Sequence, residues 1–565
     1  MTYRDPQPAS GARSRVAPLL LALAAAALLS APTVFAQTGA PPQSVTASLP
    51  GLETIDLAVM EPVDEARYLR EDAERAAQGI AGPYRFAAPL AVSMTLDNAG
   101  TWHEIEGGRV WRLQVVSTGA RTLNFGFSRF HLPEGATLHF LPAGGTGWTG
   151  PFIGADATPD GEFWSPVIEG DAVVIELFVP RNVAEEPELL LVQVAHDYRG
   201  FGQLRERLDK SGWCNNDVVC PEWDPWDDQI NSEGVYTLNG SWTCSGQMIN
   251  SNVPGTPLPY FLTADHCGIS SGNAGTMRVY WNFQSPVCGQ HGGGSLAQNQ
   301  LGATFKADWS TSDFCLVQLN ADPDEDWNVY YTGWNAEESH APANCHAIHH
   351  PGTDEKSISY NGDPITVTSY LGTTVPGNGS HWRVDDWEDG TTEGGSSGSG
   401  IWDPDHRLVG QLHGGYASCS SITSDWYGRL SRSWTGGGAN NNRLSNWLDP
   451  NGTGSRVLDG RYRNDPGSVE PPVVAAHGQI GVAPNPARGP FRVSFHLPGP
   501  AHVGAELFDA AGRLAGAVAP RFHAGGAGLL TVGAEAGSRL GPGIYFVRLT
   551  ADGAPAGSRK LIVVE

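Results

Sequence analysis

Residues 394–399 read GGSSGS and contain Ser397, a serine in a segment with glycines on both sides. A serine hydroxyl is a poor nucleophile until a neighbouring base takes its proton and backbone N–H groups face the oxyanion that develops. Glycines on both sides of a serine allow the sharp turn that aims those N–H groups. Because loops rich in glycine and serine are common, the segment taken alone fits a plain flexible loop equally well.

Two further segments supply the partners that a nucleophilic serine needs. Residues 261–267 read FLTADHC, so an apolar strand ends at His266 and a cysteine follows it. Residues 311–319 read TSDFCLVQL and place Asp313 at the head of an apolar strand. A buried carboxylate in that place can hold one tautomer of an imidazole. Taken singly, these are a histidine beside a structural cysteine and an aspartate that caps a strand.

The order of the three residues carries more information than any one of them. His266, Asp313 and Ser397 follow one another at intervals of 47 and 84 residues. Chymotrypsin-type proteases have this order, whereas subtilisins and α/β-hydrolases arrange the same three roles differently along the chain. The chain between the three residues is long enough for a fold of two six-stranded β-barrels.

Other interpretations fit the sequence less well. A serine esterase of the α/β-hydrolase type is one alternative, because a GxSxG elbow is present around Ser396. Such a turn must open a helix, however, and residues 401–412 read as a β-hairpin. Residues 345–350 read CHAIHH and resemble metal ligands, yet zinc hydrolases use HExxH on a helix, which this chain lacks. No metal or other cofactor is therefore expected. A catalytically inactive protease fold acting as a surface adhesin is the non-enzymatic alternative.

Length, composition and charge limit the class of protein. The chain has 565 residues, too many for one domain, and a net charge of −25. Phosphate binding needs a basic face, so the charge argues against a nucleic-acid partner. The high glycine content and moderate hydrophobic content favour a strand-rich globular protein over a helical one.

The N-terminus has the pattern of a secretory signal peptide. Arg13 and Arg15 precede an apolar run over residues 16–29, and small residues up to Ala36 offer a cleavage site. The run is shorter than the roughly 20 apolar residues that a membrane span requires, and no later segment is apolar enough to span. Residues 1–36 are therefore predicted to be removed on export through the periplasm, which gives a secreted or cell-surface protein.

The eight cysteines define the middle of the chain, because they all lie between Cys214 and Cys419. An even number in an exported protein indicates disulfides, although counting alone allows about 105 pairings. The flanking stretches lack cysteine and alternate apolar and polar residues between Gly and Pro turns, which is typical of β-sandwiches. The sequence thus predicts an all-β protein with an N-terminal region (37–210), a central region (211–462), a Pro-rich linker (463–476) and a C-terminal region (477–565).

The central region resembles the bacterial lysyl endopeptidases of the trypsin-like superfamily. The matching segments are, in order, CNNDVVCPE at 214–222, FLTADHCG at 261–268, VYWN at 279–282, TSDF at 311–314, AIHHP at 347–351, TTE at 391–393, GSSGS at 395–399, GQLHGG at 410–415 and SWTGGG at 433–438. The resemblance implies a chymotrypsin-like double β-barrel and a secreted serine endopeptidase that cuts after basic residues, preferentially lysine, through an acyl-enzyme intermediate. It makes His266 the base, Asp313 its orienting partner and Ser397 the nucleophile. The N–H groups of Gly395 and Ser397 would form the oxyanion hole.

The resemblance also implies disulfide pairs. They are Cys214 with Cys419, Cys220 with Cys288 and Cys244 with Cys267, and Cys315 would pair with Cys345 by elimination. Such bonds suit a protein that works outside the cell.

Specificity follows from the resemblance as well. Asp425, in SDWYGR at 424–429, stands where those enzymes have an aspartate in the primary specificity pocket, and it is implied to bind a substrate ammonium. The alternative is a surface aspartate on a loop. The preference for lysine over arginine rests on the resemblance alone. His413 and Tyr370 would flank the site, although Tyr370 stands where the family has tryptophan.

The N-terminal region resembles the pro-regions of such precursors, notably in FWSPVIEGD at 163–171 and HDYRG at 196–200. It would therefore act as a folding aid or an inhibitor in a zymogen. Ser396 stands where trypsins have an aspartate, so activation by a new N-terminal amine is not available. Cutting after lysine at the Lys210–Ser211 bond would release this region instead.

The C-terminal region resembles the sorting domains of type IX secretion through APNP at 483–486, LFDAAGR at 507–513 and GIYF at 543–546. Related immunoglobulin-like modules share these motifs, so an export signal and a surface-binding module both stay open. The expected fold is an immunoglobulin-like β-sandwich. The expected partners are polypeptide substrates and the secretion machinery, and the protein is expected to be a monomer without a stable membrane span.

Overall fold

Strands form most of the fold, as the sequence predicts. The structure is a computed structural model that describes residues 39–564 except for 48, 79–81, 144–146, 203–211, 291, 340, 465–480, 484, 486, 489–490, 510–512, 533–539 and 552–553. The predicted signal peptide, the Lys210–Ser211 bond and most of the linker lie outside the described residues. Contacts divide the chain into two units, one of residues 1–252 and 258–463 and one of residues 253–257 and 464–565. Among the described residues, no helix is both long and apolar enough to cross a membrane.

The N-terminal region is a sandwich of two β-sheets around a shared core. Its elements are α1 (Gln43–Thr46), β1 (Asp56–Val59), α2 (Glu65–Ala77), β2 (Tyr84–Arg85), β3 (Ala87–Thr95), β4 (Thr101–Ile105), β5 (Gly108–Val116), β6 (Thr122–His131), β7 (Thr137–Pro142), β8 (Thr149–Phe152), β9 (Phe163–Trp164), β10 (Ile168–Glu169), β11 (Ala172–Pro180) and β12 (Glu188–Asp197). One sheet has the order β1-β5-β11-β7-β8 with β4 beside β5, and the other has the order β10-β6-β12-β3 with β9 beside β6. Apolar residues from both sheets meet in the core, where the rings of Phe125 and Phe140 stack 5.3 Å apart. β2 belongs to neither sheet.

The central region has the two-barrel architecture that the sequence predicts. Its elements are β13 (Asn216–Asp217), α3 (Asp227–Ile230), β14 (Glu233–Leu238), β15 (Trp242–Ile249), β16 (Tyr260–Ala264), β17 (Arg278–Trp281), β18 (Asn299–Leu301), β19 (Ala303–Trp309), β20 (Phe314–Leu319), β21 (Tyr330–Tyr331), β22 (Trp334–Asn335), β23 (Cys345–His349), β24 (Ser357–Asn361), β25 (Thr366–Thr368), β26 (His381–Val384), β27 (Gly400–Trp402), β28 (Leu408–Gly415), β29 (Asp425–Arg429), α4 (Leu430–Thr435), α5 (Ser445–Leu448), β30 (Val457–Leu458) and β31 (Arg461–Tyr462). The first sheet runs β18-β17-β14-β15-β16-β20-β19, with β2 of the N-terminal region added to β15. The second runs β13-β24-β23-β27-β28-β29-β26-β25, with β22 and β30 attached.

Each sheet of the central region surrounds buried side chains of its own. Phe261, Val279 and Trp281 lie in the core of the first sheet, and Trp382 and Ile401 lie in the core of the second. Short 3-10 helices occur at Leu52–Thr54, Gly154–Asp156, Pro221–Trp226, Asp265–Cys267, Ala274–Thr276, Glu325–Trp327, Pro351–Thr353 and Asn440–Asn442. The 3-10 helix Asp265–Cys267 matters most for function, because it carries one of the candidate catalytic residues.

The C-terminal region forms a sheet with a separate apolar core. Its described strands are β32 (Gly481–Ala483), β33 (Phe491–Asp509), β34 (Leu514–Val532), β35 (Gly543–Ala551) and β36 (Ala554–Val563). The order is β32-β33-β35-β36, with β34 paired to β33. Phe491, Val493 and Leu549 are among the buried residues of this core. The region therefore buries enough apolar surface to be a folded module.

The cysteines form three disulfides, not four. The bonds are Cys214–Cys419, Cys220–Cys288 and Cys244–Cys267, the three pairs implied by the family resemblance. The expected Cys315–Cys345 bond is wrong, because both residues are free and buried. Cys315 lies on β20 in the core of the first barrel, whereas Cys345 lies on β23 in the core of the second. Elimination fails here because the two thiols belong to different cores.

We expect two thiols per chain to react with a thiol reagent once the protein is unfolded in guanidinium chloride without reductant. In the folded protein both thiols should be unreactive, because burial raises the pKa of Cys315 and Cys345 and the thiolate is the reactive form. Thiol titration before and after unfolding measures this. An unfolded, unreduced chain without reactive thiols would mean that the fourth disulfide exists.

Candidate active site

Two adjacent strand ends bring His266 and Asp313 together. β16 and β20 pair antiparallel, with Ala264 opposite Phe314, so the residues just beyond the pair are neighbours. The backbone N–H of His266 donates to Asp313 Oδ1 at 2.9 Å, and His266 Nδ1 lies 2.8 Å from Asp313 Oδ2. Asp313 has a φ of 56°, an unusual backbone conformation for a non-glycine residue that often marks a functional site. Its carbonyl accepts from Asp265 N at 2.9 Å, which helps to hold that turn.

The environment of Asp313 favours the carboxylate. Only 2% of the residue is exposed. Burial raises the pKa of this carboxyl, but the charge and hydrogen bonds of His266, aided by His413, outweigh it and bring the pKa below the ordinary value. The ionised form accepts both hydrogen bonds from His266, so the imidazole carries its proton on Nδ1 and leaves Nε2 as a base.

Ser397 lies in the loop before β27 and is held against the first barrel. Its carbonyl accepts from Ser245 N at 2.8 Å, and Gly398 N donates to Leu412 O at 2.9 Å. A Cβ on Gly398 would overlap Thr263 Oγ1, so only glycine lets the loop approach the strand that leads to His266. Among the described residues no hydrogen bond joins Ser397 Oγ to His266, and such bonds are often long in free enzymes.

The loop also presents two unpaired backbone donors. Within the described part of the chain, the N–H groups of Gly395 and Ser397 donate to no other group. Gly395 has a φ of 98°, and its carbonyl accepts from Ser245 Oγ at 2.9 Å, so the peptide is oriented by the first barrel. A Cβ at this position would lie 3.0 Å from His350 O. The two donors flank Ser396 and can bind an oxygen that becomes negative.

Ser396 takes part in a buried chain of hydrogen bonds instead of an ion pair. Its Oγ lies 2.8 Å from His349 Nδ1, and His349 Nε2 lies 3.0 Å from Ser359 Oγ. Ser359 donates onward to Thr391 O at 2.8 Å. Burial lowers the pKa of His349 to about 3, so the imidazole is neutral and needs no carboxylate partner. We call residues 394–399 the nucleophile loop, after the candidate nucleophile Ser397, and these hydrogen bonds support it.

The histidines of the segment 345–350 have separate partners rather than a common one. His346 packs against Trp226 with ring centroids 4.1 Å apart, and His350 Nδ1 lies 3.1 Å from Asp354 O. Among the described residues, no cluster of three potential metal ligands includes a histidine of this segment. His346 and His349 lie on β23, and His350 follows the strand directly.

A column of rings continues from His266. The ring of His413 lies 5.2 Å from that of His266, and the ring of Tyr370 stacks on His413 at 3.5 Å with an angle of 3° between the planes. His413 Nδ1 is also 3.5 Å from Asp313 Oδ2 and 3.0 Å from His381 Nε2. Burial lowers the pKa of His413 to about 4 and that of His381 to about 3, so both rings are neutral. The two rings limit the movement of His266. Because they are neutral, they add no positive charge beside it.

Sequence reasoning missed His381 in this column. It lies on β26 and donates or accepts at both ring nitrogens, to Ser380 Oγ at 2.7 Å and to His413. A lone histidine in an alternating strand carries no local signal of such a role. The strand pairing of β26 with β29 brings it to the site.

Asp425 is buried at the start of β29, so it is not a loop aspartate on the surface. Its Oδ2 accepts from Trp387 Nε1 at 2.8 Å and from Thr392 Oγ1 at 2.7 Å. A Cβ on Gly415 would collide with Asp425 Oδ1, so glycine keeps this side of the carboxylate open. Burial raises the pKa of Asp425 to about 6, against the hydrogen bonds from Thr392 and Trp387 that lower it. Among the described side chains, no ion pair to a cation neutralises it.

Comparison with known proteins identifies the family. Residues 57–197 match the lysyl endopeptidase N-terminal domain, and residues 208–428 match the lysyl endopeptidase C-terminal domain. A lysyl endopeptidase of Pseudomonas aeruginosa is 30% identical over 57% of this chain and 72% of its own length. The chain belongs to the lysyl endopeptidase family. As a member of that family it is a serine endopeptidase.

Two solved structures are similar to part of this lysyl endopeptidase family member. The Glu endopeptidase in complex with MPD is 17% identical with a TM-score of 0.26, over 39% of this chain and 93% of its own. The serine endoprotease from Yersinia pestis is 12% identical with a TM-score of 0.25, over 36% of this chain and 61% of its own.

We expect His349 to make the stability of this lysyl endopeptidase family member depend on pH. The pKa of its imidazole is about 3 when folded, against about 6.5 in an unfolded chain. In that interval the unfolded chain binds a proton that the folded protein does not. The stability contributed by neutral His349 is therefore complete above the unfolded pKa and is lost as pH falls towards the folded one.

His349→Gln should reduce the slope of unfolding free energy against pH by about 1.4 kcal/mol per pH unit in this interval. Urea unfolding at several pH values measures the slope. His131→Gln is the matched control, because His131 is exposed. Equal slopes in the His349 variant and the wild type would contradict the assignment.

Proposed function

We propose that this serine endopeptidase is secreted and cleaves polypeptides after basic residues, preferentially lysine, through an acyl-enzyme intermediate. The observation that carries the proposal is the buried carboxylate of Asp425, which accepts hydrogen bonds from Trp387, Thr392 and the Ala417 backbone but has no cation among the described residues. A lysine ammonium that reaches Asp425 would supply the missing charge. The name of the Pseudomonas aeruginosa relative supports lysine as the residue before the cleaved bond.

The proposed mechanism uses the three residues in the order in which the proton moves. His266 Nε2 takes the proton of Ser397 Oγ as that oxygen attacks the substrate carbonyl carbon. Asp313 keeps the Nδ1 proton in place and stabilises the imidazolium, while the N–H groups of Gly395 and Ser397 donate to the oxyanion. His266 then gives its proton to the leaving amine, the C–N bond breaks, and an acyl-enzyme remains. Water then attacks the acyl carbon with His266 as base, and the C–O bond to Ser397 breaks to release the product acid and the free serine.

His413 and Tyr370 are proposed to position His266 rather than to react. Their stacked rings lie behind the imidazole, and the ring of Tyr370 is parallel to that of His413. Burial raises the pKa of Tyr370 to about 12, so its hydroxyl stays protonated during turnover. The column therefore restricts the imidazole without competing for its proton.

A panel of peptides that vary only in the residue before the cleaved bond tests the proposal. Wild type should cut after lysine, and Ser397→Ala should reduce kcat about a million-fold. Asp425→Asn should reduce kcat/KM for lysine peptides about a hundred- to a thousand-fold, because one partner of a buried ion pair is lost. Asp386→Asn is the matched control, since that aspartate is exposed.

The possible outcomes separate the alternatives. Cutting after other residues, unaffected by Asp425→Asn, would keep the nucleophile and reject the role of Asp425. No cutting and no labelling of Ser397 by a serine-directed inhibitor, in a folded and processed protein, would favour the inactive adhesin.

We also propose that the enzyme cuts its own Lys210–Ser211 bond. The chain just after this bond is anchored in the central region, because Gly212 N and Asn215 Nδ2 donate to Glu393 Oε2 at 2.7 and 2.9 Å. The Cys214–Cys419 disulfide adds a covalent anchor. Cleavage would therefore leave the new N-terminus attached beside the nucleophile loop.

N-terminal sequencing of the mature enzyme should begin at Ser211. Purified Ser397→Ala should stay uncut, since it lacks the nucleophile, and a trace of wild type should cut it. Lys210→Gln should block this cut although His266, Asp313 and Ser397 are all present. Processing of purified Ser397→Ala at the same bond without added enzyme would contradict self-cleavage.

Export and surface attachment complete the proposal. The three disulfides suit an oxidising compartment, and residues 1–36 are proposed as the signal peptide. The C-terminal region is proposed to engage the secretion machinery as a separately folded module. Its own apolar core supports that assignment.

A further inference from the structure

One strand of the N-terminal region pairs with the central region instead of its own sandwich. β2 lies antiparallel to the start of β15, with Tyr84 opposite Thr243 and Arg85 opposite Trp242. β16 pairs with β15 only at residues 247–249, so this part of β15 has an edge open to another strand. The N–H groups of Phe86 and Ala87 extend the contact by donating to Ser241 O at 3.0 and 3.3 Å.

The edge that β2 covers leads directly into the candidate active site. Cys244, next to Thr243, is bonded to Cys267, and Cys267 follows His266. Ser245 contacts the nucleophile loop twice, through its N–H to Ser397 O and its hydroxyl to Gly395 O. A strand beside Trp242 and Thr243 therefore lies within reach of the reacting groups.

Tyr84 makes the closest approach to the nucleophile loop. A Cβ on Gly394 would lie 2.8 Å from Cδ2 and Cε2 of Tyr84, so the ring rests on the glycine that precedes Gly395. Burial raises the pKa of Tyr84, consistent with a ring enclosed between the two regions. Any polypeptide that follows this part of β15 must displace the ring.

The position on β15 indicates which part of a substrate is displaced. Asp425, where the basic side chain is proposed to bind, lies on β29 of the second barrel. β15 touches Ser397 from the first barrel. A substrate with its basic residue at Asp425 and its carbonyl at Ser397 would extend the residues after the cleaved bond towards β15. We call this the leaving-group side of the site.

We propose that the N-terminal region inhibits the enzyme by adding β2 as a strand to the leaving-group side, with Tyr84 covering the nucleophile loop. This inference rests on the proposed function. Strand addition supplies affinity through backbone hydrogen bonds that any extended peptide can make. The inhibitor therefore occupies the place of the substrate residues that follow the cleaved bond, and it leaves the charge of Asp425 unused.

A rigid network holds β2 in its inhibitory position. Arg85 O accepts from Arg199 Nε at 2.9 Å and from Tyr198 Oη at 3.1 Å. The Arg85 side chain binds Asp72 and Glu71 of α2 at 2.8 and 3.0 Å. The guanidinium of Arg199 lies 4.5 Å from the centre of the Tyr84 ring. A strand that is already ordered loses little conformational entropy on binding. It therefore binds the site more tightly than a flexible substrate peptide, which favours inhibition.

The rest of the interface explains why inhibition would outlast the cut at Lys210. Phe86 and Phe201 of the N-terminal region share a buried cluster with Tyr280 and Phe283 of the central region. Buried Arg278 donates to Trp164 O at 3.0 Å through Nε. Asn124 and Gln193 donate to Gly240 O and Asn239 O, each at 2.8 Å. None of these contacts involves the cleaved bond, so the released region stays bound until it is degraded or diluted.

The test uses the full chain as secreted and compares wild type with Tyr84→Ala. Two substrates report on the two sides of the site: a lysine ester, which has no residue after the cleaved bond, and a lysine peptide with three residues after it. We expect Tyr84→Ala to raise the initial rate on the extended peptide about ten- to thirty-fold, as for loss of a buried aromatic anchor. The rate on the ester should change much less.

Control variants separate inhibition from folding. Trp102→Ala removes a ring of β4 that lies against Arg109 of β5 and is not part of β2, and it should leave both rates unchanged. Tyr84→Phe keeps the ring and should keep the inhibition. If Tyr84→Ala is poorly secreted, the same two rates are measured on wild type before and after the N-terminal region is removed by dilution.

The outcomes distinguish this inference from the proposed function. An active ester hydrolase whose rate on the extended peptide is unchanged by Tyr84→Ala and by dilution would overturn the strand-addition proposal alone. If Tyr84→Ala raised the rate on the ester as much as the rate on the extended peptide, the assignment to the leaving-group side would be overturned. No activity on either substrate after removal of the N-terminal region would instead reject the proposed function.

Discussion

The antiparallel pairing of β16 with β20 is the constraint on which the site depends. Because Ala264 lies opposite Phe314, His266 and Asp313 meet just beyond the pair without any long connecting loop. Asp313 is buried and remains ionised only because His266 donates to both of its oxygens. The pairing therefore determines the position, tautomer and charge of the candidate base together. The Cys244–Cys267 bond next to His266 adds a covalent limit to its movement.

The second barrel contributes the nucleophile loop and a support that contains almost no formal charge. Neutral His349, His381 and His413 make hydrogen bonds beside the candidate site. Their pKa values are lowered by burial, so protonation of any of them costs desolvation free energy. Asp425 is a buried carboxylate that has no cation partner among the described residues. This distribution leaves one strong attraction for a positive substrate side chain.

The N-terminal region belongs to the same compact unit as the two barrels, and β2 makes it part of the sheet that carries His266. The same backbone edge that binds an inhibitory strand would bind a substrate strand, since both would pair with Trp242 and Thr243 of β15. Inhibition and substrate recognition are in this way two uses of one surface.

The sequence by itself determined what depends on residue type, order and local period: the all-β class, the candidates His266, Asp313 and Ser397, and the cysteine-bearing central region. Only the tertiary structure decided what depends on which distant strands become neighbours. It separated Cys315 from Cys345 into different cores, brought His381 to the ring column and placed β2 beside β15. Strand pairing joins residues far apart in the chain, and no local pattern encodes the partner, so these contacts exist only once the sheets have formed.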